Sequence, residues 1–187
     1  MNRRASVFLT CMGEGRGAHE VSTTTDLARW QGDRRGLHAA ASSQKEARLM
    51  IKFTVYGEPV AQGRPRASTK GGFVRMYDPE KSRDYKDYVK IAAAEHAPST
   101  LLAGPLAVMI IAYRSIPKSF SKKKAAAAEA GEIYPTSKPD ADNYLKGVKD
   151  ALKGVMWVDD SQVVDAYARK RYSFKPRIEV IIRQLGA

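Results

Sequence analysis

Leu106-Ala107-Val108-Met109-Ile110-Ile111-Ala112-Tyr113 is an apolar run with β-branched residues and no polar interruption. That pattern predicts a central strand covered on both faces. The segments around it fill in a sheet. Ile51-Lys52-Phe53-Thr54-Val55-Tyr56 alternates apolar and polar residues and is ended by the turn-like Gly57-Glu58-Pro59, so it reads as a first strand. Gly71-Gly72 predicts a hairpin turn, with Phe73-Val74-Arg75-Met76-Tyr77 as the short strand that follows it. Gln162 to Tyr172 and Arg177 to Leu185 read as the last two strands. They are expected to close as an antiparallel pair around Ser173-Phe174-Lys175-Pro176.

Two segments carry helical periodicity. Asp78-Pro79 starts the first, with Pro79 at the first helical position and Asp78 as its cap. Tyr85, Tyr88, Val89 and Ala92 supply its apolar stripe, with lysines opposite. The second runs from Asp140 to Lys153 and is closed by Gly154, with Leu145, Val148 and Leu152 on the core side. The connection from Ile116 to Pro135 contains an alanine run suited to a short helix. The fold class is therefore α/β (α+β), with a mixed β-sheet of about four strands and two main helices. Residues 1–49 have a different texture, rich in Gly, Ser and Thr with interspersed arginines. They read as an N-terminal extension, by composition a flexible tail or a mis-assigned start, and the folded domain is expected over 50–187. An ordered N-terminal subdomain is the alternative.

The 187 residues carry a formal net charge of +12, which points to a polyanionic partner, most simply nucleic acid. Cys11 is the single cysteine, so an internal disulfide and a cysteine-based zinc site are both excluded. The histidines, His19, His38 and His96, are too few and scattered for a His-rich metal site. Any metal must be held by oxygen, which favours Mg²⁺, or Mn²⁺ as a substitute. No apolar run has the length of a membrane span, and the start resembles a signal peptide only faintly. A cytoplasmic location is expected. A nucleotide cofactor is not expected, because the phosphate-binding Gly-x-x-x-x-Gly-Lys-Ser/Thr pattern is absent.

Within this basic chain, carboxylates concentrate in Lys138-Pro139-Asp140-Ala141-Asp142-Asn143, then Asp150, then Asp159-Asp160. Acid clusters repel DNA phosphates unless a cation lies between them, so a Mg²⁺ site acting on a phosphodiester is the natural hypothesis. Asp142, Lys146 and Asp150 share one helix face at four-residue spacing, and an exposed Asp–Lys–Asp ladder would explain them equally well. Asp140 shifts the balance. Placed just before the helix in the extended conformation favoured before and around proline, its carboxylate can converge with that of Asp142. Adjacent residues of an extended segment face opposite ways, so only one of Asp159 and Asp160 is expected to join them. Lys146, one turn from Asp142, is suited to stabilising charge in a phosphoryl transition state.

At Lys138-Pro-Asp-Ala-Asp-Asn-Tyr-Leu-Lys146, Asp150-Ala-Leu and Trp157-Val-Asp-Asp-Ser-Gln-Val163 the chain resembles the RusA family of Holliday junction resolvases, endodeoxyribonucleases of bacteria and phages. Tyr56-Gly57-Glu58-Pro59 and Gly63-Arg64-Pro65-Arg66 add to the likeness, which covers roughly residues 50–187. The resemblance implies a homodimer of mixed α/β subunits, working in DNA recombination and repair. It implies that Asp140, Asp142 and Asp160 bind the metal and that Lys146 is catalytic. Paired nicks in a four-way junction are the implied outcome. Arg64, Arg66, Lys118, Lys122, Lys123 and Lys124 are the candidate DNA-binding residues. Two alternatives stand beside this: a nuclease for forks, flaps or other branched DNA, and a non-catalytic basic DNA-binding module.

Overall fold

A computed structural model describes residues 49–68 and 73–185, and in it the apolar run becomes strand β4 (Leu106–Ser115). Eight consecutive residues of β4, Leu106 to Tyr113, are buried. A strand buried on both faces needs a neighbour on each edge and a layer on each side. Strand β6 (Arg177–Gln184) pairs with it antiparallel, and β5 (Val163–Ser173) pairs with it parallel on the other edge. Strand β1 (Met50–Tyr56) lies antiparallel outside β6, giving the order β1-β6-β4-β5.

This order corrects the expected hairpin between the last two strands. β5 and β6 do run in opposite directions, but β4 lies between them. The apolar content explains the swap. β4 is buried over eight residues, whereas β5 has only half-buried and exposed residues until Tyr172 and Ser173 at its end and suits an edge. The link Phe174–Pro176 has only to cross two strand spacings, about 10 Å, which a few extended residues span.

One face of the sheet meets the helices. Leu106, Val108, Ile110 and Ala112 alternate toward that core, joined by Phe53 and Val55 of β1 and Ile178, Val180 and Ile182 of β6. Helix α1 (Glu80–Ala94) and helix α3 (Ala141–Leu152) pack along each other and cover this face. α3 contributes Tyr144, Val148, Ala151 and Leu152, a strong helical stripe, and partly buried Leu145 packs against it. It ends where expected, with Gly154 at φ +77° just beyond its last residues. The alanine run forms helix α2 (Lys122–Glu129), whose Ser121 cap accepts from the Lys124 backbone N–H at 3.3 Å.

Two local expectations for α1 are corrected. Pro79, not Asp78, holds the N-cap position, and no side chain caps the helix, because the Asp78 carboxylate is engaged elsewhere. The buried stripe runs through Ser82, Val89 and Ala93, with Tyr85 half-buried, while Tyr88 is 46% exposed. Tyr88 is rotated about 100° from Val89 and so falls off the stripe.

Strands β2 (Arg66–Ser68) and β3 (Arg75–Tyr77) form a separate two-stranded sheet. The Gly71-Gly72 turn expected between them lies outside the described residues. Every described residue belongs to one compact unit. The expectation for the N-terminal extension thus falls, Leu49 apart, outside the described residues. Among the described residues no helix is long and apolar enough to cross a membrane.

Ile110→Ala is expected to lower stability by about 2–5 kcal/mol, because the site is closed on both faces and cannot collapse. Tyr88→Ala should change it by no more than about 0.5 kcal/mol. Urea unfolding of both variants checks the assignment; equal losses would contradict it.

Candidate active site

The turn before α3 is held by cations from the sheet. Arg114 Nη1, at the end of β4, donates to Ser137 O at 3.3 Å, Ser137 Oγ at 3.1 Å and Lys138 O at 3.2 Å. Lys170 Nζ, on β5, donates to Ser137 O at 3.1 Å and Pro139 O at 3.0 Å. The Lys138–Pro139 peptide within this turn is cis. These bonds fix where α3 begins. Asp140 takes the N-cap position in extended backbone, φ −75° and ψ 157°, yet its side chain makes no capping bond. Asp140 and Asp142 are exposed, and neither carboxylate has an ion pair or hydrogen bond to another described residue. Capping therefore does not compete for the Asp140 oxygens.

Lys146 is exposed one turn further along and also lacks an ion pair among the described residues. The Asp–Lys–Asp ladder does not form. Asp150 instead pairs with Lys86 of α1 at 3.0 Å, and Lys86 also pairs with Asp78 at 2.7 Å. Asp78 accepts a further bond from Gln62 Nε2 at 3.1 Å. The Lys86 and Gln62 hydrogen bonds hold the Asp78 carboxyl below the usual carboxylate range against the opposing effect of burial, and the charges of Lys86 and Lys146 add to it. Burial pulls the Lys86 ammonium down, but its bonds to Asp78 and Asp150 outweigh that and leave it raised.

The same network fastens the basic loop. Gln62 N donates to Asn143 O at 2.9 Å, which ties the loop to the first turn of α3. Gly63 N donates to Ser82 Oγ at 3.2 Å, and Ser82 Oγ donates to Gln62 Oε1 at 3.3 Å. A Cβ on Gly63 would lie 2.7 Å from Pro79 Cγ, so only glycine permits this approach. Arg64 is exposed just beyond, and Arg66 opens β2. Both follow a root anchored beside Asp142 and Lys146.

Asp159 and Asp160 stand at the other end of α3. Lys153 Nζ, at the helix C-cap, donates to Asp159 Oδ2 at 2.5 Å. Asp159 Oδ1 accepts from Ser161 N at 3.0 Å, and Gln162 Oε1 accepts from Asp159 N at 3.0 Å, closing a capping box on the 3-10 turn Asp160–Gln162. The Lys153 and Ser161 bonds hold the Asp159 carboxyl far below the usual range. Asp160 Oδ1 accepts from the indole of buried Trp157 at 2.9 Å. α3 has 12 residues, about 18 Å of helix, and it lies between the Asp140/Asp142 pair and the Asp159/Asp160 pair. Among the described residues no three His, Cys, Asp or Glu side chains converge to hold a metal ion. The chemistry of the free pair nevertheless fits Mg²⁺ or Mn²⁺. Such an ion takes one or two carboxylates and completes its shell with water and phosphate oxygens.

The remaining cations lie on the connection between β4 and α3. Lys118 is exposed, as are Lys122, Lys123 and Lys124 in the first turn of α2. Three lysines at a helix N-terminus oppose the macrodipole, an arrangement that an anion would relieve. Lys124 Nζ sits 4.2 Å from the Phe120 ring centroid. Gln62, Asp78, Lys86, Arg114 and Lys170 were not legible in the sequence as site residues. Asp78-Pro79 carries a cap signature, and the others act through partners 8 to 81 positions away.

Residues 56–183 match the family model for the endodeoxyribonuclease RusA, a span that includes every residue of this site. The chain belongs to the RusA family. Membership places it among endonucleases that act on branched DNA. An uncharacterized Bacillus subtilis protein, YqaN, is 55% identical over 139 residues, covering 73% of this chain and 98% of its own.

Lys86→Met should destabilise the protein by about 1–3 kcal/mol at pH 7, because it removes the bridge from Lys86 to Asp78 and Asp150. The depressed Asp78 carboxyl stabilises the fold above its ordinary value of 3.8 and loses that contribution as pH falls through its lower folded value. Denaturant unfolding across pH should therefore show the gap between variant and parent closing below about pH 4. A gap independent of pH would remove the network from the stability account.

Proposed function

We propose that the protein is a Mg²⁺-dependent, homodimeric endonuclease that resolves four-way Holliday junctions by paired symmetric nicks, in DNA recombination and repair. One observation carries this: in a chain of net charge +12, Asp140 and Asp142 keep exposed carboxylates with no partner among the described residues, beside a Lys146 that has none among them either. A protein that only bound DNA would gain affinity by losing those two charges.

Asp140 and Asp142 hold the cation. When bound, Mg²⁺ or Mn²⁺ supplies Lewis acidity at the scissile phosphate and a more acidic attacking water. Lys146 stabilises the negative charge that builds on the phosphoryl oxygens during attack. Arg64, Arg66, Lys118, Lys122, Lys123 and Lys124 contact backbone phosphates, so binding weakens steeply with salt. Of the second acid pair, Asp159 is occupied by Lys153 and the capping box, whereas Asp160 keeps one oxygen free of the Trp157 bond. With α3 between them, Asp160 joins Asp140 and Asp142 at one ion only if it comes from a second copy of the chain. A two-fold dimer provides that copy and matches the two-fold symmetry of a four-way junction.

A synthetic mobile junction should be nicked symmetrically in strands of like polarity with Mg²⁺ and left intact without it. Equal cutting of forks or flaps would favour a broader branched-DNA nuclease, and scission that ignores divalent ions would end the metal assignment. Asp142→Asn should reduce nicking at least about a hundredfold while junction binding is kept or tightened. A normal nicking rate in that variant would rule out the role given to Asp142. Mixing Asp142→Asn with Asp160→Asn subunits should restore single nicks if each site draws on two chains, because one of the two sites in the mixed dimer then has all its carboxylates. Two inactive variants that stay inactive when mixed would return Asp160 to a structural role.

A further inference from the structure

Among the described residues the β2–β3 hairpin pairs with no strand of the main sheet and leaves Phe73 76%, Val74 70%, Met76 64% and Tyr77 48% exposed. Isolated two-stranded ribbons bury little, and so large a set of bare apolar side chains on one is costly unless something covers it. The charge of the segment narrows what that partner is. From Pro59 to Tyr77 the chain carries Arg64, Arg66, Lys70 and Arg75 and no acidic residue. A segment that exposes aromatic and apolar side chains, and whose charged residues are all basic in sequence, matches a partner that is anionic and presents flat apolar faces. Nucleic acid with accessible bases has both properties.

The hairpin is also aimed. Its two ends are joined across the base by the Gln62–Asp78 bond at 3.1 Å. Gln62 N is bonded to Asn143 O at 2.9 Å, and the Lys86 bridge from Asp78 reaches Asp150 at 3.0 Å, so the base is fixed to α3 on both sides of Lys146. Intact duplex hides its base faces in the stack, whereas a branch point interrupts stacking and exposes them.

We propose that this hairpin is the element that distinguishes branched from linear DNA: Phe73 stacks on a base exposed at the branch while Arg64 and its basic neighbours hold the flanking phosphates. The inference rests on the branched-DNA reading above and assigns the residue that supplies its selectivity. Loss of one such stack should weaken junction binding roughly tenfold.

The test uses the full chain and its Phe73→Ala and Phe73→Trp variants. Affinity is measured in EDTA for a four-way junction and for a linear duplex of the same arm sequence, with 2-aminopurine placed at the branch in a second set. The expected result is a roughly tenfold weaker junction complex for Phe73→Ala, an unchanged duplex complex, loss of the 2-aminopurine quenching, and recovery of all three with Phe73→Trp. An unchanged junction-to-duplex ratio in Phe73→Ala, with the parent still selective, would overturn the role of the hairpin alone. The same holds if the variant differs from the parent only in sedimentation, since Phe73 would then be covered by protein. A parent that fails to prefer the junction would overturn the branched-DNA reading and this inference with it.

Discussion

The fold depends on burying β4 on both faces. Its eight consecutive buried residues require a neighbouring strand on each edge, and that requirement places β4 between β5 and β6. The site inherits its frame from this. Because β5 runs parallel beside β4, Arg114 and Lys170 emerge near the same end of the sheet. Both reach the carbonyls of residues 137–139, and those bonds set where α3 starts. The position of two exposed aspartates is thus a consequence of an apolar strand that never touches them.

Helix α3 then acts as a ruler. Its apolar stripe holds it on the sheet, and its length separates one acid pair from the other. Carboxylates so separated avoid mutual repulsion within a chain, which suits the folded monomer. The same separation means that any site using both pairs is assembled by association. Catalytic competence and dimer formation would then be a single event, and a lone subunit would not be a free nuclease.

Much of this was legible in the sequence. The β4 run, the alternation of β1, and the helical spacing of Leu145, Val148 and Leu152 with Gly154 beyond are local patterns, and local patterns are what a sequence displays, although Tyr144 rather than Leu145 is the fully buried residue of that turn. The grouping of Asp140, Asp142 and Lys146 at one end of a helix was legible for the same reason. The false hairpin between β5 and β6 came from a short polar link between two strands, which indicates direction but not adjacency. Asp78 carried a cap signature that is correct on average, yet Lys86, one helical turn into α1 and beyond, offers it a stronger partner. Long-range pairs such as Lys86–Asp150 and Gln62–Asn143 leave no periodic trace, because each depends on two distant segments already being packed.

The acids of this basic chain divide by what they touch. Asp78, Asp150 and Asp159 each have a lysine at 3.0 Å or less. Each can be explained by stability alone, and each would lose that partner if recruited to an ion. Asp140 and Asp142 have no such explanation. They are exposed, and Lys146 one turn along α3 has no ion pair among the described residues either. In the proposed reading their charge serves a ligand that is positive where they are and compatible with DNA beside it. A divalent cation bridging carboxylate and phosphate would meet both conditions, and the unpaired Lys146 one turn along sets these two acids apart from other exposed ones.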